Sequence, residues 1–193
     1  MSQGVPNAEV ARGRAAMAGY RVICSADGPN LMAETPEHVP GQATYMVCVD
    51  GSAHSRVAMR FACLRAKNTG GHVVLMSAIE PAEFQHWVAV EDVMLEERRE
   101  EAEHVLQDLA AEVNQWAGVM PSLVVREGPI GNEILAAVED DPAINFLVVG
   151  AAPPSGKHGK LISWLAGQLA GRLAIPLVIV PGNLSDEQLA EIT

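Results

Sequence analysis

The chain has 193 residues, of which 49% are hydrophobic and 19% are charged. This composition excludes a mostly disordered chain, and the length is enough for one domain with a sizeable core. With 13 lysines and arginines against 24 acidic residues, the net charge is −11. The basic footprint that nucleic acid or an anionic membrane surface requires is missing, so we expect neither as a partner.

The chain has no apolar run long enough to span a bilayer, and its N-terminus lacks the basic and apolar regions of a signal peptide. We therefore expect a cytoplasmic protein. The three cysteines, Cys24, Cys48 and Cys63, lack the Cys-x-x-Cys spacing of a zinc site, and no metal site is predicted. Cys48 and Cys63 lie in apolar stretches and are predicted to be small buried side chains.

Residues 1–42 differ in character from the rest of the chain. A short helix over Asn7–Ala18 and a short strand over Tyr20–Cys24 fit the pattern, but the prolines and glycines between Gly28 and Gly41 are typical of a linker. We expect a loosely structured extension, packed weakly or laid over the surface of a domain at residues 43–182. Residues 183–193 are predicted to form a short helical tail.

From Tyr45 onward, apolar runs alternate with segments of helical periodicity. The predicted strands are Tyr45–Val49, His72–Ala78, Leu123–Val125, Phe146–Val149 and Leu177–Val180. The first predicted helix begins after a Ser52 cap and is stopped by Asn68–Gly71. The other predicted helices span Val90–Ala117, Ile130–Glu139, Trp164–Leu173 and Ser185–Ile192. This order predicts an α/β fold, with an open and mainly parallel five-stranded sheet that has helices on both faces.

In a sheet of this kind, ligands bind beyond the carboxyl ends of the strands, where the strand order reverses. The candidate binding residues are therefore those at the strand ends. They include Asp50, Ala78, Val149 and Gly150, together with the loop that follows Gly150.

Four segments, taken in their order and spacing, resemble the universal stress protein family. They are Val47–Ser52, Glu127–Leu135, Leu147–Gly150 and the proline-valine-rich Ile175–Val180. The resemblance covers Tyr45 to Gly182 and implies a Rossmann-like fold. It also implies a homodimer paired through the last strand, with Leu177, Val178, Ile179 and Val180 at the interface.

Members of that family that bind ATP carry a loop of the form Gly, two residues, Gly, nine residues, Gly, then Ser or Thr. Glycines of this kind let backbone N–H groups approach phosphate oxygens. Here Gly150, Pro153, Ser163 and Trp164 keep the spacing but only the first glycine. Because Pro153 has no N–H and Trp164 is bulky, we expect ATP binding to be weak or lost.

The adenine end of the site is better kept. The resemblance implies that Asp50 accepts a hydrogen bond from the adenine amino group of ATP or AMP. Ala78, Val149 and Gly150 would line the base. The alternative role for Asp50 is that of a turn former beside Gly51.

A glycine-rich basic segment over Ser155–Lys160 is unusual in so acidic a chain. It offers a second route to phosphate binding, through Ser155, Gly156, Lys157 and Gly159, with the hydroxyl of Ser163. It is not a phosphate-binding loop of the Gly-Lys-Ser/Thr type. The alternative is a solvated loop whose lysines promote solubility.

No catalytic residue is predicted. Asp50, Ser52 and His54 lie too close along one strand–helix junction to form a hydrolase triad, so Ser52 is assigned as a cap and His54 as a surface residue. Glu101 and His104 match half of a di-iron motif but belong to a charged face that i,i+4 pairs stabilise.

Two functions remain open. One is a dimeric, non-catalytic stress-response module that binds a protein client. The other is an ATP- or AMP-binding sensor, with slow hydrolysis or autophosphorylation.

Overall fold

The computed structural model describes residues 22–25, 42–80, 88–152, 167 and 171–193. Its strands are β1 Val22–Ser25, β2 Thr44–Cys48, β3 His72–Ile79, β4 Ser122–Glu127, β5 Ile144–Ala151 and β6 Leu177–Pro181. Its helices are α1 Ala53–Thr69, α2 Val88–Ala117, α3 Ile130–Asp140 and α4 Asp186–Ile192. The predicted helix over 7–18 lies outside the described residues. Of the one predicted over 164–173, only 167 and 171–173 are described, and residues 171–173 are not helical.

The strands form one parallel sheet in the order β1-β4-β3-β2-β5-β6. The predicted α/β class and the five parallel strands of the domain are thus confirmed. From β2 the chain proceeds through β3 to β4 on one side, and it later adds β5 and β6 on the other side. The strand order therefore reverses between β2 and β5, which makes that junction the switch point of the sheet.

A sixth strand comes from the N-terminal extension. Val22–Ser25 runs parallel to β4 at the edge of the sheet, so part of the extension belongs to the sheet and does not lie over its surface. The segment pairs with β4 because the outward-facing backbone N–H and C=O groups of that strand need hydrogen-bond partners. The short strand expected over Tyr20–Cys24 is thus present as Val22–Ser25, but the linker composition around it did not indicate that it joins the sheet.

Two apolar layers sandwich the sheet. One lies under α1 and α2 and includes Val47, Leu75 and Leu109, while the other lies under α3 and includes Met46, Met76 and Ile134. Every residue of β2 is buried, as its continuous apolar run predicts.

The predicted burial of Cys48 and Cys63 is confirmed. Burial raises the pKa of each thiol to about 12, with smaller contributions from the negative charge of Asp50 at Cys48 and of Glu112 at Cys63. Both cysteines are therefore protonated and unreactive at neutral pH. Their role is to fill space in the core.

The ends of α1 follow from local chemistry. The Ser52 hydroxyl accepts a hydrogen bond from the Ser55 N–H at 3.2 Å, which confirms the predicted cap. At the other end, Gly70 adopts a left-handed conformation with φ 64°, which a residue without a Cβ reaches at little cost. The two caps fix where α1 begins and ends, so its first turn follows directly after the loop at the carboxyl end of β2.

The chain ends in α4, which packs on α1. Ser185 and Gln188 form a reciprocal capping box at its start, and Leu189 is fully buried in the core. Arg60 of α1 pairs with Asp186 at 3.0 Å, and Arg65 donates to the carbonyl of Thr193 at 3.1 Å. The helical tail is therefore part of the packed domain.

Candidate functional site

The carboxyl end of β2 lies between the ends of two neighbouring strands. Cys48 of β2 is in register with Met76 of β3, and Val47 is in register with Val148 of β5. The loop that begins at Asp50 is therefore flanked by the end of β3, which carries Ala78, and by the end of β5. Three of the segments that the sequence singles out meet at one edge of the sheet.

Asp50 organises the turn that follows β2. Its carboxylate accepts a hydrogen bond from the Ser52 N–H at 3.0 Å, and Gly51 between them has φ 75°. Desolvation alone would raise the pKa of Asp50, but hydrogen bonds from Ser52 and Ser55 outweigh it and hold that pKa below its usual value. The side chain is thus a fixed, ionised acceptor at an exposed position, and it is also the turn former that the sequence offers as the alternative.

Cys48, two residues before Asp50, belongs to the apolar layer under α3, and the negative charge of Asp50 contributes to the raised pKa of its thiol. Ala78 packs partly buried against the same apolar layer, and Val149 is a member of it with 2% exposure. Because the Val149 side chain is buried in that layer, a ligand at this edge would meet mainly backbone at the end of β5.

Gly150 permits a close approach between β5 and α1. A Cβ at this position would lie 2.3 Å from the carbonyl oxygen of His54. Gly182, just after β6, is equally constrained, because a Cβ there would lie 2.7 Å from His54 Nδ1. Both glycines thus have a packing role around the first turn of α1, whatever ligand the site takes.

The assignment of His54 as a surface residue is wrong. Its side chain is partly buried, and its Nδ1 atom is enclosed without a hydrogen-bond partner. The signal that sequence reasoning missed is Gly182, just after β6, because a Cβ at that position would lie 2.7 Å from Nδ1 of the imidazole.

The residues proposed for the phosphate end lie outside the described part of the chain. They are Ser155, Gly156, Lys157, Gly159 and Ser163, and Pro153 and Trp164 lie outside it as well. The described part of the candidate site therefore consists of Asp50, Ala78, Val149 and Gly150.

The residues around Asp50 do not form a hydrolase triad. The Asp50 carboxylate meets the backbone of Ser52, and the hydroxyl of Ser52 meets Ser55. His54 bonds neither of them through Nδ1. The geometry is that of a capped helix start, as the spacing predicts.

Elsewhere in the described residues, no group of three or more His, Cys, Asp and Glu side chains could hold a metal ion. His104 pairs with Asp108 at 3.4 Å on an exposed face of α2, which is an i,i+4 pair of the expected kind. Among the described helices, none has the length and apolarity needed to cross a membrane.

A parallel sheet with its switch point between β2 and β5 and with helices on both faces defines an open, doubly wound α/β protein. The model of the Universal stress protein family matches residues 44–181, and the chain belongs to that family. The resemblance read from the sequence is thus confirmed. No curated protein matches the chain.

Solved structures agree on the fold. The universal stress protein UspA from Lactobacillus plantarum is 16% identical with a TM-score of 0.59, over 72% of this chain and 97% of that one. A universal stress protein in complex with cAMP is 17% identical with a TM-score of 0.56, over 74% and 99%. A family protein from Arabidopsis thaliana with AMP bound is 15% identical with a TM-score of 0.53, over 75% and 94%.

Proposed function

We propose that the chain is a homodimeric stress-response interaction module in the cytoplasm. It pairs through β6, binds a protein client, has no catalytic residues of its own, and holds adenine nucleotides weakly or not at all. The observation that carries this proposal is the outer edge of β6, which among the described strands ends the sheet on the side away from β1 and is called the free edge below.

The hydrogen bonds between β5 and β6 determine which backbone groups of β6 are free. The Leu147 N–H donates to the carbonyl of Pro176 at 3.0 Å. Because alternate residues of a strand face opposite neighbours, Leu177, Ile179 and Pro181 direct their backbone groups to the free edge. Pro181 has no N–H, so the usable edge consists of Leu177 and Ile179.

The side chains of this edge suit a two-fold partner. Ile179 is 40% exposed, although it lies in the middle of an apolar strand, and Leu177 is only partly buried against the layer under α3. A short apolar edge of this kind associates unless it is paired. An isologous contact between two copies of β6 would satisfy both the backbone groups and the apolar side chains.

The phosphate end of the site supports weak nucleotide binding on chemical grounds. Pro153 stands where ATP-binding relatives carry a glycine, and a proline has no N–H to donate to a phosphate oxygen. Trp164 replaces a small hydroxyl residue with an indole. Together these substitutions remove a donor and add bulk at the place where a triphosphate would bind.

A second function is favoured by Asp50. Its ionised carboxylate is held at the switch point by Ser52, and it keeps acceptor capacity that an adenine amino group can use. Two related structures carry AMP or cAMP in their names. On this second proposal the chain is an adenine-nucleotide sensor, with slow hydrolysis or autophosphorylation, that uses the segment from Ser155 to Ser163.

Calorimetric titration with ATP and with AMP separates the two functions. We expect no measurable heat with the natural chain and binding of ATP after Trp164→Ser. Trp116→Ser is the matched control, because it removes an indole that is 37% exposed at the end of α2, away from the site. Tight binding of ATP by the natural chain would favour the sensor and contradict the first proposal.

A further inference from the structure

The strand β1 lies outside the family match, which begins at residue 44. It occupies the edge of the sheet opposite β6, in parallel register with β4 from the pair Val22 and Leu123 to the pair Ser25 and Arg126. An added segment of the chain thus completes an edge that the family domain alone would leave open.

The backbone of β4 presents fixed hydrogen-bonding groups to this added strand. The Gly128 N–H donates to the carbonyl of Ile79 at 3.0 Å. The backbone N–H and C=O groups of the even-numbered residues of β4 therefore face β3. By alternation, Leu123 and Val125 direct their N–H and C=O groups toward β1. Their side chains are 0% and 2% exposed in the core, so these backbone groups are held rigidly in place.

The parallel register assigns the partners on β1. Because Leu123 lies opposite Val22, its carbonyl faces the N–H of Ile23. The N–H of Val125 faces the carbonyl of the same residue. Ile23 therefore holds two hydrogen bonds to β4, whereas the backbone groups of Cys24 face away from it.

The segment that joins β1 to β2 is longer than the sheet requires. The two strands are separated by β4 and β3, which is a lateral distance of about 14 Å at the usual strand spacing. Residues 26–43 can reach on the order of 60 Å when extended. Glycines and prolines at Gly28, Pro29, Pro36 and Gly41 do not favour a helix that would shorten this reach.

We propose that the outer edge of β4 is a strand-docking site whose occupant is exchangeable, and that its alternative occupant is β1 of a second copy of the chain. An identical segment fits the register equally well, and the linker is long enough to deliver it. The intramolecular strand wins at low concentration because its effective concentration is high. Exchange would join chains at the end of the sheet away from β6, so it does not depend on the proposed dimer.

The first test uses the full chain and a matched pair of proline variants. Ile23→Pro removes an N–H that faces β4, whereas Cys24→Pro removes one that faces away. Because loss of the Ile23 N–H should release β1 from the edge, amide hydrogen exchange at Leu123 and Val125 should become at least ~10-fold faster in Ile23→Pro. Exchange at both amides should stay slow in Cys24→Pro. The amide of Met46 in the central strand reports that each variant remains folded.

The second test asks whether the edge accepts a strand in trans. A peptide of residues 19–28, added to the Ile23→Pro chain, should restore slow exchange at Leu123 and Val125. The same peptide with Ile23→Pro should not. If the variant stays folded and its exchange at these two amides is unchanged, or if the natural peptide has no effect, the docking site is disproved.

The third test identifies the second occupant. Isotope-labelled Ile23→Pro chain is mixed with unlabelled natural chain, and exchange at Leu123 and Val125 is followed as the natural chain is raised in concentration. Protection that returns with natural chain, but not with unlabelled Ile23→Pro chain, supports exchange between copies. Protection by the peptide alone, with none from the natural chain, overturns the second copy as the occupant.

Discussion

The α-carbon of Gly150 lies against the backbone of His54, so that a Cβ at position 150 would come within 2.3 Å of the His54 carbonyl oxygen. This contact fixes the end of β5 against the first turn of α1. The turn at Asp50 lies just before that helix, so the shape of the candidate site depends on the same contact.

We predict that Gly150→Ala destabilises the domain by roughly 1–3 kcal/mol, because the added methyl group meets rigid backbone. Urea unfolding measures the change. Gly171→Ala is the control, since a Cβ there meets no atom of the described residues within 4 Å, and its effect should stay below about 1 kcal/mol. Equal stability of the two variants would contradict the close contact.

The pH dependence of stability should report on His72. Its Nε2 lies 2.9 Å from the hydroxyl of Ser122, and burial lowers the pKa of the imidazole while the charge of Asp141 opposes the shift. The native state therefore binds a proton less readily than the unfolded chain, whose histidine pKa is about 6.5. The contribution of His72 to the unfolding free energy is therefore present above about pH 6.5. It is lost as the pH falls from there toward the lowered pKa of the native state.

Unfolding free energies of the natural chain and of His72→Gln, measured between pH 5 and 8, check this prediction. Glutamine keeps a polar group near Ser122 but does not titrate in this range. The unfolding free energy of His72→Gln should fall less steeply toward acid pH than that of the natural chain. An unchanged slope in His72→Gln would show that His72 does not contribute to it.

The tail helix α4 should unfold together with the domain. Leu189 is fully buried against the core beside α1, so Leu189→Ala should cost about 2–5 kcal/mol. Ile192→Ala, in the same helix but 56% exposed, should change stability by no more than about 0.5 kcal/mol. Thermal unfolding of both variants tests this, and similar small effects would mean that α4 is only loosely attached.

Much of the fold is readable from the sequence because the buried strands are nearly continuous apolar runs. Tyr45–Val49 is one such run, and the structure buries it on both faces. The Ser52 cap and the end of α1 near Gly70 follow from equally local rules. These elements need no knowledge of distant residues.

Features that depend on distant residues were harder to predict. The sequence offers a short strand over Tyr20–Cys24, but the pairing of Val22–Ser25 with β4 at the edge of the sheet depends on the topology of the sheet. The imidazole of His54 lies close to Gly182, a residue far along the chain that no local pattern connects with it. At the candidate site, the sequence predicts Asp50 as a turn former and as a ligand acceptor, and the hydrogen bond to Ser52 is compatible with both roles.

Pairing of two copies through β6 is tested most directly by light scattering after size exclusion. At micromolar concentration the natural chain should have twice the single-chain mass of 20.5 kDa. Ile179→Lys, which places a charge on the free edge, should have the single-chain mass, whereas Ile192→Lys on α4 should remain dimeric. A natural chain that runs at the single-chain mass would contradict pairing through β6.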